Sequence, residues 1–307
     1  MSTRVIAPPR AGLWRQLRRG RVAAAALGLI ALLGLASALS PFLLGQNPYD
    51  MAQLDVLDAE IPPLWSAGGD TRFPLGTDAQ GRGMLGAMLF GTGISLTIGL
   101  AAVAIQALLG VAIGVLAGYR GGRLDGLLMR LADIQLSLST LMIAIIALAI
   151  VQTVFGAERF GDLAVPLLVV VIGVAEWPHF ARTVRGSVLA ERAKDYVLAA
   201  EAMGLSPARI IWRHILPNVA SPLIVVATLQ VANAIMAEAA LSFLGLGMPV
   251  SQPSLGALIR AGFELIFSGV WWIAVLPSLV LIVLILAINL IGDFLRDALN
   301  PKLERKS

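Results

Sequence analysis

Residues 93–118 read GISLTIGLAAVAIQALLGVAIGVLAG and contain no charged side chain. A helix needs roughly 20 apolar residues to cross about 30 Å of hydrocarbon, so this stretch predicts a membrane-spanning helix. Five further stretches have the same character: residues 22–44, 134–155, 163–176, 222–245 and 270–291. Because residues 163–176 are short for a span, we expect that helix to continue through Trp177 and Phe180. The sequence therefore predicts an all-α membrane protein with about six transmembrane helices.

The composition supports a membrane protein and argues against an enzyme. Of the 307 residues, 58% are hydrophobic and 14% are charged, whereas about a quarter of residues are charged in soluble domains. The absence of cysteine excludes disulfides, thiolate metal sites and cysteine nucleophiles. No Gly-x-x-x-x-Gly-Lys-Ser/Thr loop is present to cradle ATP phosphates, and the two histidines, His179 and His214, have no metal-ligand spacing. We therefore expect no catalytic residue, cofactor or metal in this chain.

The basic residues predict how the chain is oriented. Nineteen of the 23 lysines and arginines fall in the two tails and in the second and fourth connections. The opposite side holds only Arg72, Arg82, Arg159 and Arg260. Since lysine and arginine accumulate in cytoplasmic loops, both termini are predicted to be cytoplasmic. The same bias accounts for the net charge of +4, so contact with membrane lipid is expected and a nucleic-acid partner is not.

The chain divides into an anchor and a core. In order, the predicted parts are a cytoplasmic basic tail, an anchor helix, an irregular acidic extracytoplasmic loop, a five-helix core and a second cytoplasmic tail: residues 1–21, 22–44, 45–92, 93–291 and 292–307. The first span could instead be a cleaved signal peptide, with Ala36-Ser37-Ala38 as the cleavage site. Its apolar run continues to Leu44, which favours an uncleaved anchor.

The longest cytoplasmic connection, residues 177–221, is predicted to be mostly helical. Residues 188–203 form the first predicted helix of this connection. It is expected to end at Gly204, because glycine is common just past a helix C-terminus.

A second, shorter helix follows in the same connection. Ser206 can cap it and Pro207 can occupy its first position. The helix is predicted over residues 208–215, until Pro217 stops it. Its isoleucines and Trp212 give it an apolar face, which suits either lipid headgroups or a groove in a cytosolic partner.

Six short segments carry a resemblance to a known family. They are FPLGTDAQGR (73–82), ISL (94–96), WPHFARTVRG (177–186), DYVLAAEAMG (195–204), HILPN (214–218) and EAALSFLGLG (238–247). Together they resemble the permease subunits of ABC importers, and more narrowly the dipeptide, oligopeptide and nickel branch. The resemblance covers nearly the whole chain. It implies a type I ABC importer-like fold, in which the N-terminal anchor precedes a five-helix permease core.

The resemblance implies that residues 177–221 couple the permease to an ATPase. In the family this loop has a Glu-Ala-Ala, Gly, Leu-Pro pattern, and its coupling helix sits in a groove of the ATPase subunit. The residues assigned to coupling are Ala199, Ala200, Gly204, Ser206, Pro207, Ala208, Arg209, Ile211, Trp212, Arg213, Leu216 and Pro217. Four positions depart from the family pattern: Leu198 in place of the glutamate, His214 in place of an apolar residue, Gly83 in place of aspartate and Ser139 in place of proline.

The resemblance also implies the partners of the chain. They are a homologous second permease subunit, two cytosolic ATP-binding subunits that bind ATP and Mg, and an extracytoplasmic solute-binding protein. ATP-driven closure of the cytosolic subunits would turn the bundle from inward-facing to outward-facing. The chain is then expected to form a path for peptides or a similar small solute across the bacterial inner membrane. Dipeptides, oligopeptides, glutathione-like compounds and nickel chelates all stay open.

Polar residues in the fifth predicted span are candidates for the translocation path. They are Gln230, Asn233 and Glu238, of which Gln230 and Glu238 come nearer to a shared helical stripe. A carboxylate inside the membrane is costly unless it is paired or wet. The alternative for each is a helix–helix hydrogen bond. Gln106 and Asn289 are lone polar residues that are expected to pack between helices.

Two other function classes stay open. A secondary transporter or channel that is not driven by ATP would need ion-coupling charges or broken helices near the midplane, and only Glu238 hints at this. A structural assembly protein would use the cytoplasmic connection simply to recruit a partner. Co-purification with ATPase subunits would disfavour the first class, and ATP-dependent uptake would disfavour the second.

Overall fold

In a computed structural model that describes residues 20–43, 47–249 and 251–299, the chain is built from α-helices. They are α1 (Arg21–Leu43), α2 (Met84–Arg120), α3 (Gly122–Ser137), α4 (Thr140–Phe155), α5 (Ala157–Ala175), α6 (Trp177–Arg192), α7 (Asp195–Ala202), α8 (Pro207–Ile210), α9 (Leu216–Phe243), α10 (Leu255–Leu265) and α11 (Trp272–Leu299). Most of the two predicted tails, at residues 1–19 and 300–307, lies outside the described residues.

Two of the six spans are bent. Within the described ranges, α1, α2, α11 and the continuous stretch Pro207–Phe243 are each long and apolar enough to cross a bilayer. Two bent pairs complete the set: α3 with α4, at 84°, and α5 with α6, at 42°. Counting each pair as one span gives six, so the prediction of about six transmembrane helices is confirmed.

The third and fourth spans are bent, which the sequence did not predict. Residues 134–137 belong to α3, and the extended backbone of Leu138 and Ser139 separates them from α4. The fourth span continues through Trp177 and Phe180, as expected, but it bends at Glu176, and α6 begins with Pro178 in its first turn. Proline cannot donate a backbone hydrogen bond to the preceding turn, which favours the break.

Close packing at glycines ties α6 to α2. Gly110, Gly114 and Gly118 recur every four residues along α2. A Cβ atom at Gly110 would lie 2.3 Å from the Cβ of Phe180, and one at Gly114 would lie 2.6 Å from the carbonyl oxygen of Ala181. Small residues at this spacing let membrane helices approach closely. The glycines therefore position α6 and the segment that follows it.

The connection between α6 and α9 differs from its prediction in two places. The predicted helix over residues 188–203 is interrupted after Arg192 and resumes at Asp195. The predicted stop at Pro217 is also wrong, because α8 runs through a π-helical turn (Ile211–Ile215) into α9. Pro217 lies in the first turn of α9, where the wider π turn has already changed the hydrogen-bond register. The short helix is therefore continuous with a membrane span.

The loop before α2 is irregular, as predicted, but shorter than predicted, because α2 begins at Met84. Two 3₁₀ turns, Met51–Gln53 and Val56–Asp58, are its regular elements within the described residues. The indole Nε1 of Trp272, at the start of α11, donates to the carbonyl oxygen of Thr77 at 3.0 Å. This bond fixes the loop against the bundle.

Helix α10 was not predicted. It lies in the connection between the fifth and sixth spans and packs against α9 and α11. The side chain of Ser254 caps it by accepting a hydrogen bond from the backbone nitrogen of Ala257 at 3.4 Å. With 11 residues it is too short to cross a bilayer, so a search for long apolar runs passes over it.

Candidate coupling segment and membrane polar residues

The α7–α9 segment (residues 193–218) folds around a small apolar core. The buried members of this core are Val184, Val188, Val197, Ala200, Ile210, Ile215 and Val219. Two of them belong to α6 and one to α9, and the half-buried Val111 and Val115 of α2 pack against them. The core is thus shared between the segment and three helices of the membrane bundle, so the segment cannot move without displacing them.

Polar contacts attach the segment to the C-terminal end of α2. Arg192 donates to the carbonyl oxygen of Tyr119 at 2.6 Å, and its guanidinium lies 5.2 Å from the centre of the Tyr119 ring. The Tyr119 hydroxyl donates to Glu201 at 3.4 Å, and Glu201 lies 3.9 Å from Arg192. These three side chains link α2, α6 and α7 in one cluster.

Tyr196 holds α7 against the start of α9. Its hydroxyl donates to Glu191 at 2.5 Å. The side-chain amide of Asn218 donates to the Tyr196 oxygen at 3.2 Å and to the carbonyl oxygen of His214 at 2.7 Å. Desolvation, with the hydrogen bond to Glu191, raises the pKa of Tyr196 to about 12. The phenol therefore keeps its proton at neutral pH and stays a donor.

Most residues predicted for coupling lie at the surface of the segment. The exposed ones are Ala199, Gly204, Ser206, Pro207, Ala208, Arg209, Trp212, Arg213 and Pro217; Ile211 and Leu216 are half-buried, and Ala200 is buried. Trp212 exposes 75% and Met203 73% of their surface. The single apolar face predicted for the short helix is instead divided, since Ile210 and Ile215 point into the core while Trp212 points out.

The turn between α7 and α8 agrees with its prediction at Gly204, but the predicted capping by the Ser206 side chain is wrong. Gly204 has φ +77°, a left-handed conformation that glycine adopts without strain. Ser206 occupies the N-cap position before Pro207, but its side chain accepts no capping hydrogen bond. The glycine thus determines the course of the chain here more than the serine does.

Gln230 and Asn233 belong to a polar network inside the bundle. The Asn233 amide nitrogen donates to Gln230 Oε1 at 2.8 Å. Gln230 Nε2 lies 3.2 Å from Gln106 Oε1 and 3.4 Å from a carboxylate oxygen of Glu176. Gln106 therefore packs between helices, as expected, but it is not a lone polar residue there.

Glu176 lies at the bend between α5 and α6 and joins the two bent spans. Its carboxylate accepts hydrogen bonds from Thr140 Oγ1, in the first turn of α4, and from Gln230 of α9. The imidazole Nε2 of His179 lies 3.0 Å from the same carboxylate. Sequence reasoning placed Glu176 only as the end of a span. The sequence did offer one signal for Glu176: a carboxylate at the end of an apolar run, directly before Trp177 and Pro178.

Glu238 stands apart from this network, contrary to the predicted grouping with Gln230. Its side chain is completely buried, and it accepts hydrogen bonds from Ser95 of α2 at 2.7 Å and from Ser242 at 2.6 Å. Ser254, at the start of α10, also bonds to it. These contacts match the helix–helix alternative, since they join α2, α9 and α10.

Comparison with known proteins identifies the family to which this architecture belongs. The profile of the binding-protein-dependent transport system inner membrane component matches residues 110–305, and that of the N-terminal transmembrane domain of oligopeptide transport permease C matches residues 9–63. The chain belongs to the binding-protein-dependent permease family. This agrees with the resemblance drawn from the short sequence segments.

Curated relatives align with nearly the whole permease. It is 36% identical over 291 residues to the di/tripeptide transport system permease protein of Pseudomonas aeruginosa, covering 95% of this chain and 91% of that protein. The dipeptide permease of Bacillus subtilis is 35% identical, with 95% and 85% covered. The oligopeptide permease of Bacillus subtilis is 32% identical, with 95% and 91% covered.

A solved importer has the same fold. The inward-facing MetNI methionine ABC transporter matches with a TM-score of 0.56 at 20% identity, over 70% of this chain and 97% of that chain. The type I importer-like architecture is therefore confirmed. The protein is a multi-pass inner-membrane permease subunit of an ATP-driven importer.

Proposed function

We propose that this permease imports peptides or a similar small solute and is driven by two cytosolic ATP-binding subunits that bind its α7–α9 segment. The exposed side chain of Trp212 carries the proposal. It projects from a segment whose interior is continuous with α2, α6 and α9. A partner that pushes on Trp212 therefore acts directly on three membrane helices.

A protein groove suits the exposed face of this segment better than lipid headgroups do. A helix that rests on lipid buries one apolar stripe in the bilayer. Here the isoleucines face the core of the chain itself, and Trp212 stands among Ala208, Arg209 and Arg213, all exposed. One aromatic anchor with a polar and basic rim is typical of the centre of a protein interface.

The orientation follows from the same assignment. With the α7–α9 segment in the cytoplasm, both termini are cytoplasmic, as the distribution of basic residues predicts. The loop at residues 47–83 then lies outside, where a solute-binding protein would deliver its cargo. A homologous second permease subunit would complete the path. ATP and Mg would bind to the cytosolic subunits, and this chain would contribute no catalytic group.

Peptides are the favoured solutes because relatives that align with 95% of this chain are named as dipeptide, di/tripeptide and oligopeptide permeases. Within the chain, we assign Gln230 and Asn233 to the path. The first bonds to Glu176 at the bend of a span, and the second is exposed within a span. Glu238 instead stabilises the junction of α2, α9 and α10, because its carboxylate is enclosed by serine hydroxyls.

Reconstitution of the complete importer tests the proposal. The complex is purified through a tag on this chain, placed in liposomes and supplied with its binding protein and a radiolabelled dipeptide. We expect accumulation that requires ATP and stops when ATP is replaced by a non-hydrolysable analogue. The bends at Leu138 and Glu176 also suit a secondary transporter. Uptake driven by an ion gradient without ATP would therefore establish that alternative and contradict ours.

A further inference from the structure

The geometry points to a cation-accepting site on the translocation path, formed by Glu176 with the amides of Gln230 and Asn233, that receives the ammonium group of the transported solute. This site rests on the proposed function, because it places a solute contact on a path that only a transporter has. It adds an acidic residue, Glu176, that sequence reasoning did not consider.

Asn233 is the first observation. It lies at the centre of the predicted span 222–245, yet its side chain is exposed in this chain. An exposed amide in hydrocarbon is costly, and the bond to Gln230 uses one donor of the Asn233 side chain. Its neighbours on the same helix face, Leu229 and Met236, are exposed and apolar. An amide between these two apolar side chains indicates that water or another subunit, rather than lipid tails, lies against this face of α9.

A continuous set of polar contacts leads from Asn233 towards the α7–α9 segment. Asn233 bonds to Gln230 at 2.8 Å, Gln230 lies 3.4 Å from Glu176, and Glu176 lies 3.0 Å from His179. The His179 side chain is 47% exposed. One turn further along α6, the exposed Arg182 pairs with Asp133 of α3. Gln230 is buried and the Glu176 side chain is 17% exposed. The polar contacts therefore run from the exposed Asn233 in the middle of a span, through the interior of the bundle, to the exposed His179 near the end of the span.

The charge along this strip is negative at the depth of Glu176. Arg182 is neutralised by Asp133, and Arg185 is neutralised by Asp125. Among the described residues, His179 is the group in contact with Glu176 that can offset its charge, and only when it is protonated. Gln230 turns its amide nitrogen towards Glu176 and its oxygen towards Asn233. The carboxylate and the amide oxygens are the acceptors in this cluster for the three donors of an ammonium group. Every unmodified peptide carries such a group at its amino terminus, whatever its side chains, so this site would accept many peptides.

The cysteine-free sequence allows a direct test. Asn233→Cys is introduced into the complete importer, in membrane vesicles with the cytoplasmic side outward. Its reaction rates with a cationic and an anionic methanethiosulfonate reagent of similar size are then compared with those of a free thiol. We expect the cationic reagent to be favoured by about tenfold, which is within the effect of one nearby charge at an effective dielectric constant of about 20. Glu176→Gln should abolish this preference.

Leu100→Cys is the matched control, because Leu100 is an apolar residue on α2 that is 57% exposed. It should react with neither reagent. If Asn233→Cys is equally inert, or if it reacts without preferring the cation, the site is wrong even where Glu176→Gln cannot be produced. ATP-dependent dipeptide uptake by the unlabelled Asn233→Cys importer is measured in parallel. Uptake with inert cysteines rejects this site alone, whereas absence of uptake from the unaltered importer rejects the proposed function.

Discussion

The loop at residues 47–83 and the α7–α9 segment lie at opposite ends of α2 and are held in place in different ways. The loop depends on polar contacts. Thr77 Oγ1 donates to the carbonyl oxygen of Asp58 at 2.6 Å and accepts from the backbone nitrogen of Ile61 at 2.8 Å. A nearly buried ion pair joins Arg82 Nε to Asp78 at 3.2 Å, with side chains 1% and 3% exposed.

The α7–α9 segment also has polar contacts, but in addition it shares an apolar core with the spans. Its buried residues contact α2, and Val184 and Val219 belong to α6 and α9. Polar contacts fix a local shape, but a shared apolar core makes the segment one mechanical unit with the bundle, because close-packed interiors transmit displacement. The comparison shows that the loop fixes one end of the permease locally, whereas the segment at the other end is packed into the bundle, as the proposed coupling to ATP-binding subunits would require.

The largest expected effect is a loss of stability in the loop at residues 47–83. Arg82→Met leaves the carboxylate of Asp78 buried without its cation, which typically costs about 3–5 kcal/mol. Burial already raises the pKa of Asp78, and removal of Arg82 should raise it further. A raised carboxyl pKa in the folded state means that stability falls as pH rises through that pKa. Thermal unfolding in detergent should therefore show a variant that is more stable at pH 5 than at pH 8.

The control for this change is the double variant Asp78→Asn with Arg82→Met, which removes both charges. It should recover much of the lost stability and lose the pH dependence. An Arg82→Met variant that is as stable as the parent at pH 8 would mean that the ion pair does not fix the loop.

The next effect concerns the contact that joins the segment to the spans. Gly114→Val adds a side chain where a Cβ atom alone would lie 2.6 Å from the Ala181 carbonyl oxygen. Overpacking of this kind costs about 1–3 kcal/mol. Because α6 must move away from α2, we expect the rate of transport to fall. The loop at residues 47–83 is not part of this contact, so its stability should not change. Gly126→Val is the control, since a Cβ there meets nothing within 4 Å. Equal transport by the two variants would contradict a role for the α2–α6 contact.

A smaller effect is expected at the turn before α8. Gly204 has φ +77° and open space around a Cβ, so Gly204→Val should act through backbone strain of about 1–2 kcal/mol. Uptake per ATP hydrolysed should fall while membrane insertion is unchanged. Gly204→Asn separates the causes, because asparagine tolerates this conformation. If asparagine also uncouples uptake, space in the docking interface, rather than strain, explains the glycine.

The smallest effect is expected at Ser206. A capping serine is typically worth about 1 kcal/mol, but this side chain accepts no capping bond. Ser206→Ala should change the free energy of unfolding by less than about 0.5 kcal/mol. Ser254→Ala is the matched comparison at the other end of the bundle, since that serine caps α10 and bonds to Glu238. A larger loss at Ser206 than at Ser254 would overturn the ranking.

Hydropathy predicts the spans because length and apolarity are local properties of the sequence. It misses bends. The break at Leu138 depends on two extended residues between helices, and hydropathy does not report backbone conformation. The stop assigned to Pro217 follows a sound local rule that the π turn overrides. Rules based on residue type do not predict such a change of hydrogen-bond register.

The candidate site was predictable only in part. Gln230 and Asn233 stand out because polar residues are rare in spans. Their partner Glu176 lies 54 positions from Gln230 in the chain, and a separation of this size carries no periodic signal. Glu238 has three serines as partners, one of them 143 positions away. Its enclosed position could not be distinguished in advance from a path-lining one.

Site-specific crosslinking from Trp212 tests most directly whether the α7–α9 segment receives force from the ATP-binding subunits. A single cysteine at this position carries a photoactivated benzophenone in the assembled importer, and Leu57→Cys, at a residue 90% exposed in the loop, serves as the comparison. We expect the Trp212 position to crosslink to an ATP-binding subunit and the Leu57 position not to do so. Crosslinking of Trp212 to lipid alone, or of Leu57 to an ATP-binding subunit, would contradict the account.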